Sequence, residues 1–222
     1  MPTDQKPPAP IVFDLETAPL PDAERYLEPV VADKRLTHPD KIAADVAKKE
    51  AARMESVGLD WNLCRIVALG WKIDGETTVS ICRTETDEME AIKEFHRVRR
   101  SDRRTLVGFY ARQFDAPVLM QRARYLDVPC QPISLKRWGN DDLIDLYDLL
   151  TFDDVRCSWA MRRTLDMFCT RFGLDVPDDP LTGADIASLV AAGDWEGVAS
   201  HCRSDVEKTS VLARRLRVRE QS

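Results

Sequence analysis

The stretch CRIVALGWKI, residues 64–73, is a continuous apolar run followed at once by Asp74-Gly75 and the alternating segment TTVSICR, residues 77–83. An Asp-Gly pair between two such segments is the strongest short-range signal for a tight hairpin, so the two read as paired antiparallel strands. Three further apolar runs have strand length. Ile11-Val12-Phe13 opens IVFDLET and reads as a buried strand ending at Asp14, with Pro19 and Pro21 stopping any continuation. TLVGFY, 105–110, reads as another buried strand, and LIDLYDLL, 143–150, as a short strand running into a helix.

Helical patterns separate these runs. Met89, Ile92, Phe95 and Val98 give an amphipathic helix over 87–100, and FDAPVLMQRARYL opens a helix with Pro117 in its first turn. Residues 157–172 read as helical, and Thr182 and Asp185 have capping-box spacing at the head of TGADIASLVAAG. Asp194 caps a last helix over about 195–217. Residues 22–60 are charged, alanine-rich and mostly helical in propensity, with Gly58 as a stop, and read as an insertion after the first strand. A hairpin combined with crossover helices predicts an α/β fold, a mixed central sheet flanked by helices.

A chain of 222 residues that is 44% hydrophobic can bury one sizeable core. The expected organisation is a flexible lead at 1–10, one domain over 11–217 and a short tail at 218–222. The six cysteines form no C-x-x-C pair and there are only three histidines, which argues against a zinc site. Scattered cysteines behind a polar, proline-rich start fit a reducing cytoplasm, and no run approaches the ~18 apolar residues that span a bilayer. A net charge of -6 does not exclude a nucleic-acid substrate, because metal-binding carboxylates add negative charge that bound ions cancel locally.

Asp14 and Glu16 are two apart on a strand and share one face, so without a cation they repel. Alone, the pair also fits a strand end turning into solvent. Asp115 opens a helix after a buried strand, where an aspartate also suits the free N–H groups. Asp205 lies beside the apolar stripe Val198, Cys202, Val206, Val211 and Leu212, with His201 four residues earlier on the same side. Alone, that is also an ordinary helical His-Asp pair. Together, the four carboxylates and one histidine supply what two-metal phosphodiester hydrolysis requires: converging anionic ligands and an acid–base group.

At these residues the sequence resembles the DnaQ-like, or DEDD, 3′→5′ exonuclease superfamily, in its DNA-polymerase-B-like predicted exonuclease branch. FDLET resembles the D-x-E motif, GFYARQFDAPVL resembles G-F-N-x-x-x-F-D-x-P-x-L, and HCRSD resembles Y-x-x-x-D. HPDKIAADVAKKEAARMESVGLDWNLCRIVALGW resembles that branch's insertion and second strand, and DIASLVAAGDWEGVASHCRSDVEKTSVLARRL its C-terminal helices. The likeness extends over most of 10–217. It implies an RNase H-like fold, two divalent ions, Mg²⁺ or Mn²⁺, on Asp14, Glu16, Asp115 and Asp205, and a single-stranded DNA or RNA 3′ end as substrate. It also implies that Thr17 offers its backbone N–H to the terminal nucleotide, and that Asp145 is structural.

Two positions depart from the family pattern. Tyr110 stands where the family has an Asn that shapes the site, and His201 stands in the tyrosine position with histidine's chemistry. His201 is the expected acid–base residue. A module that holds nucleic acid or a protein without cutting is the competing reading, and a resolvase-like or transposase-like nuclease a third. No polymerase domain lies within the sequence, so a replication or repair partner would act in trans. Arg97, Arg99, Arg100, Arg103 and Arg104 read as a solvated helix end, and Trp61, Trp138 and Trp159 as core residues.

Overall fold

The computed structural model describes residues 8–102, 104–137, 142–152 and 163–218. Strand β1 is Ile11–Pro19; a 3₁₀ turn at Ala23–Tyr26 and helix α1, Pro39–Val57, follow it. Next come β2 (Cys64–Ile73), β3 (Glu76–Ile81), α2 (Glu85–Asp102), β4 (Leu106–Gly108) and α3 (Asp115–Tyr125). The order ends with β5 (Leu143–Asp145), α4 (Leu146–Leu150), α5 (Leu165–Arg171), α6 (Ile186–Ala192) and α7 (Trp195–Arg215). The five strands form one sheet in the order β3-β2-β1-β4-β5. β1–β2 and β2–β3 are antiparallel, whereas β1–β4 and β4–β5 are parallel. The hairpin turn carries positive φ at both Asp74 and Gly75, as the Asp-Gly pair requires.

Alternation along β1 sorts the core into two layers. Ile11, Phe13 and Leu15 pack with Ile92 and Phe95 of α2 and Val118 and Leu119 of α3. Val12 packs on the other face with Leu165, Phe168, Val206 and Leu212, and Ala18 joins Ile186, Val198 and Cys202 there. α2 and α3 therefore cover one face of the sheet, and α5, α6 and α7 the other. The β1–β2 register slips between Glu16 and Thr17, leaving Val67 unmatched. Consecutive residues Val67 and Ala68 then pack on the same side, the signature of a β-bulge. Beside the bulge, Glu88 accepts the Ile66 N–H at 2.9 Å and a bidentate bond from Arg122 at 2.7 and 2.8 Å, which ties α2, α3 and β2 together.

Four expectations need correction. β1 does not end at Asp14 but runs on to Pro19, because it stays paired with β2 while its β4 side, unpaired past Val12, tolerates a residue without an N–H. Asp14 and Glu16 therefore lie within a strand and not at a strand end turning into solvent, and that strand is the central one of the sheet. The helix expected over 157–172 begins at Leu165, where the Thr164 hydroxyl accepts the Met167 N–H; residues 157–162 lie outside the described residues. Thr182 and Asp185 do bond to each other, but they close a turn ahead of α6, which starts only at Ile186. Within 22–60, helix is confined to the 3₁₀ turn and α1. The chain between them is held against α1 by Asp45, which accepts the Asp33 N–H, and by Lys49, which donates to the Val31 carbonyl.

Helix α7 packs on the sheet at Gly70, which pairs with Asp14. A Cβ at Gly70 would lie 2.8 Å from Cys202 Sγ and 2.9 Å from Val206 Cγ2. Both are short, stiff side chains, so an added methyl must lift the helix. Gly70→Ala should cost about 1–3 kcal/mol, the usual range for overpacking, and lower Tm by roughly 2–4 °C per kcal/mol. A thermal melt with Tm unchanged or raised would show that the helix accommodates the methyl.

Candidate active site

The site grows out of the mismatch in strand lengths. β4 pairs only with Ile11 and Val12, so beyond Asp14 the β4 side of β1 has no strand partner. The Leu15 N–H on this overhang donates to Asp115 Oδ1 at 3.2 Å, and Asp115 is the first residue of α3. That bond brings the second motif to the first. Period two places Asp14 and Glu16 on the α7 face of β1, opposite Gly70 and Ala68. α7 then presents His201 and Asp205 one turn apart, as the spacing of four predicts.

Asp14, Glu16 and Cys202 each place one potential ligand atom within 4.8 Å of the others, and Asp179, His201 and Asp205 do the same. His201 Nε2 lies 3.8 Å from Glu16 Oε1, joining the two groups. Glu16, Asp115 and His201 are buried, while Asp14 and Asp205 are partly exposed.

Electrostatics follow from this crowding. Burial holds the Asp14 carboxyl well above the usual range, and Asp115, Glu16 and Asp205 raise it further. Burial pushes Glu16 up to about 8, although His201 pulls it down. Asp115 is pushed up to about 7, again first by burial, with the Leu15 N–H opposing. Asp205 is raised by burial against the pull of His201 and Lys208. For His201, burial favours the neutral ring, but Glu16, the Asp179 hydrogen bond and Asp205 outweigh it and raise its pKa. A divalent cation would offset the repulsion among acids crowded in this way, and hard carboxylate oxygens suit Mg²⁺ or Mn²⁺. The set Asp14, Glu16, Asp115 and Asp205 thus fits divalent ions on donor chemistry.

Two members escaped the sequence reading. Asp179, in the loop before α6, places Oδ2 2.6 Å from His201 Nδ1 and accepts its N–H. Its PDDP setting reads as an ordinary turn, and no periodicity links it to α7. Lys208 is almost wholly buried and bonds Asp166 at 2.7 Å and Asp205 at 3.3 Å. Its spacing of three from Asp205 was the available signal.

The remaining candidates sort differently. The Thr17 hydroxyl donates to the Gly58 carbonyl at 2.6 Å, tying β1 to the end of α1. Tyr110 takes a left-handed φ of 62°, a conformation asparagine adopts more readily, and its ring meets Tyr147 edge-on with centroids 5.1 Å apart. Asp145 accepts the N–H groups of Tyr110, Arg112 and Tyr147, so it braces the second-motif loop; burial still raises it to about 6. The arginine cluster is a solvated helix end only in part: Arg97 and Arg100 are exposed, whereas Arg99 is buried and donates to the Gln131 and Pro132 carbonyls, and Arg104 reaches the Ala9 carbonyl. Arg103 lies outside the described residues. Trp61 is 44% exposed and so is not a core residue, because its turn leaves the ring on the surface; Trp138 and Trp159 lie outside the described residues.

Among the described residues, no helix is long and apolar enough to cross a membrane. No curated protein matches the chain. Among solved structures, the family B DNA polymerase of the hyperthermophilic archaeon Pyrobaculum calidifontis matches with a TM-score of 0.59 and 20% identity, over 95% of this chain and 25% of that one. Product-bound exonuclease I matches with a TM-score of 0.52 and 12% identity, over 97% of this chain and 45% of that one. The chain thus spans between a quarter and a half of these structures, and at such identity the likeness speaks for the fold, the RNase H-like arrangement of exonuclease domains. A family model matches residues 59–221, which include Asp115, His201 and Asp205, whereas Asp14 and Glu16 precede that segment. With three motif residues inside the match and β1 supplying the other two beside them, the chain belongs to the family of predicted 3′–5′ exonucleases related to the exonuclease domain of PolB.

Proposed function

We propose that the protein is a metal-dependent exonuclease that removes nucleotides from the 3′ end of single-stranded DNA or RNA. The observation that carries this reading is the gathering of Asp14, Glu16, Asp115, His201 and Asp205 from three separate elements onto the centre of one sheet. Membership of the family supports the reaction.

Asp14, Glu16, Asp115 and Asp205 would hold two divalent ions, Mg²⁺ or Mn²⁺, which supply an activated water and charge stabilisation at the leaving oxygen. The protein's own share is placement and proton handling. Asp115 is fixed to β1 through the Leu15 N–H, so the second motif cannot drift from the first. His201 keeps Nε2 towards Glu16 and can take a proton at that atom. The surrounding core keeps bulk water away from the buried carboxylates, which strengthens every charge interaction between them. Thr17 is the candidate contact to the terminal nucleotide, and Tyr110 shapes the second-motif side of the site. A replication or repair protein is the partner this reading implies.

On a 5′-labelled single strand, Mg²⁺ or Mn²⁺ should give a ladder of products shortened one nucleotide at a time, and EDTA should stop it. Asp14→Ala and Asp205→Ala should fall to background, and His201→Ala should lose about 10²–10⁴-fold, the range for an acid–base group. Full activity in the Asp14 and Asp205 variants would place the site elsewhere.

The carboxylates also set a pH dependence of stability. Their folded pKa values lie above the unfolded ones, so the metal-free fold binds extra protons that it loses as pH rises, and stability falls with them. The raised His201 acts in the same direction. Buried His96, held down to about 4, opposes them only below its ordinary value near 6.5. Between pH 6.5 and 8.5 the Tm of the metal-free protein should therefore fall, and added Mn²⁺ should raise Tm more at pH 8.5 than at 6.5. A flat or rising metal-free profile across that window would contradict the clustering of these acids.

A further inference from the structure

An imidazole in place of a phenol brings a problem of its own. A phenol has one polar atom to aim, whereas a ring with two nitrogens must settle which carries the proton and which way the ring turns. The structure answers that at His201. Asp179 Oδ2 lies 2.6 Å from Nδ1, and both side chains are buried, 7% and 5% exposed. The other oxygen of Asp179 accepts the Leu181 N–H at 3.0 Å, so the carboxylate is held from two sides. Asp185 closes the next turn by accepting the N–H and hydroxyl of Thr182, which stiffens the segment that carries Asp179. Nε2 is left facing Glu16 at 3.8 Å.

We infer that Asp179 is a positioning residue for catalysis: it fixes the His201 ring so that Nδ1 carries the proton and Nε2 faces the reacting centre. This rests on the reading of His201 as the acid–base group. An ionised carboxylate accepts only, so its partner nitrogen must be the donor, and the lone pair is thereby assigned to Nε2. The geometry is that of a carboxylate orienting an imidazole, one of the recurring ways of preparing a histidine base. The same three residues, Asp179, His201 and Asp205, are close enough to share an ion, so a ligand role for Asp179 is the rival that the test must separate.

Four full-length proteins decide the matter: the parent, Asp179→Asn, His201→Ala and the double variant. Each is checked for folding by circular dichroism, titrated with Mn²⁺ and assayed on a single-stranded oligonucleotide. Asp179→Asn keeps the shape of the side chain but can donate to Nδ1, which reverses the ring's tautomer. It should lower kcat about 10–100-fold, the usual cost of losing an orienting partner, with KM and the Mn²⁺ dissociation constant unchanged. In the His201→Ala background the same change should cost less than about twofold, because the ring it orients is gone. Parent kcat in Asp179→Asn, equal losses in both backgrounds, or weakened Mn²⁺ binding would each overturn the inference. Should Asp179→Asn fail to fold, Asp179→Ser takes its place under the same criteria. Parent activity in His201→Ala would instead refute the assignment of His201 itself, a result visible without any Asp179 variant.

Discussion

A helix can lay a carboxylate over the middle of a sheet only where the sheet leaves room beneath it, and here that room is Gly70. The strand residue opposite Asp14 has no side chain, and Cys202 and Val206 of α7 occupy the space a Cβ would need. Close packing at this one point sets the height of α7 above β1. From that height follow the approach of His201 to Glu16, the reach of Asp205 towards Asp14 and Glu16, and the sealing of Val12 and Ala18 on either side. Packing interiors are dense enough that such a spacing is transmitted rather than absorbed.

The second constraint is electrostatic and runs against the first. Packing brings together four carboxylates that water would otherwise keep apart, and burial raises the pKa of each. The fold tolerates this because it distributes compensation around the rim. The Leu15 N–H serves Asp115, the Lys208 ammonium serves Asp205 and Asp166, and His201 stands between Glu16 and Asp179. Lys208 also pulls the Asp14 carboxyl down, but burial and the neighbouring Asp115, Glu16 and Asp205 outweigh it. On the proposed reading, stability and function pull in opposite directions at this cluster, as is usual where charge must be stored for chemistry.

Local rules were legible in the sequence wherever one residue type forces one geometry. Asp74-Gly75 announced the hairpin, period two put Asp14 and Glu16 on one face, and a spacing of four put His201 over Asp205. Legibility failed where the decisive partner lies far along the chain. Asp14 looked like a strand end because Pro19 and Pro21 follow, and only pairing with β2 shows that the strand continues. Its central position depends on β4 crossing over to the parallel side, which no local pattern records. Asp179 meets His201 across 22 residues of loop and helix, and Lys208 and Arg99 bury long stems that composition assigns to solvent. The strand overhang past β4, which lets Asp115 dock on Leu15, is likewise a difference between two strand lengths and not a property of either.

The order of the elements has a consequence in time. β1 carries its two acids near the start of the chain, and α7 supplies Asp205 only 191 residues later (205 minus 14). During synthesis the ribosome releases the hairpin and both helices of one layer well before the helix that completes the opposite face. Until α7 docks, this face of β1 has α5 against Val12 and α6 against Ala18, and nothing of α7 lies over Asp14 and Glu16. On the proposed reading, a chain without α7 would hold only part of the carboxylate set, so hydrolytic capacity would arrive together with closure of this face of the core.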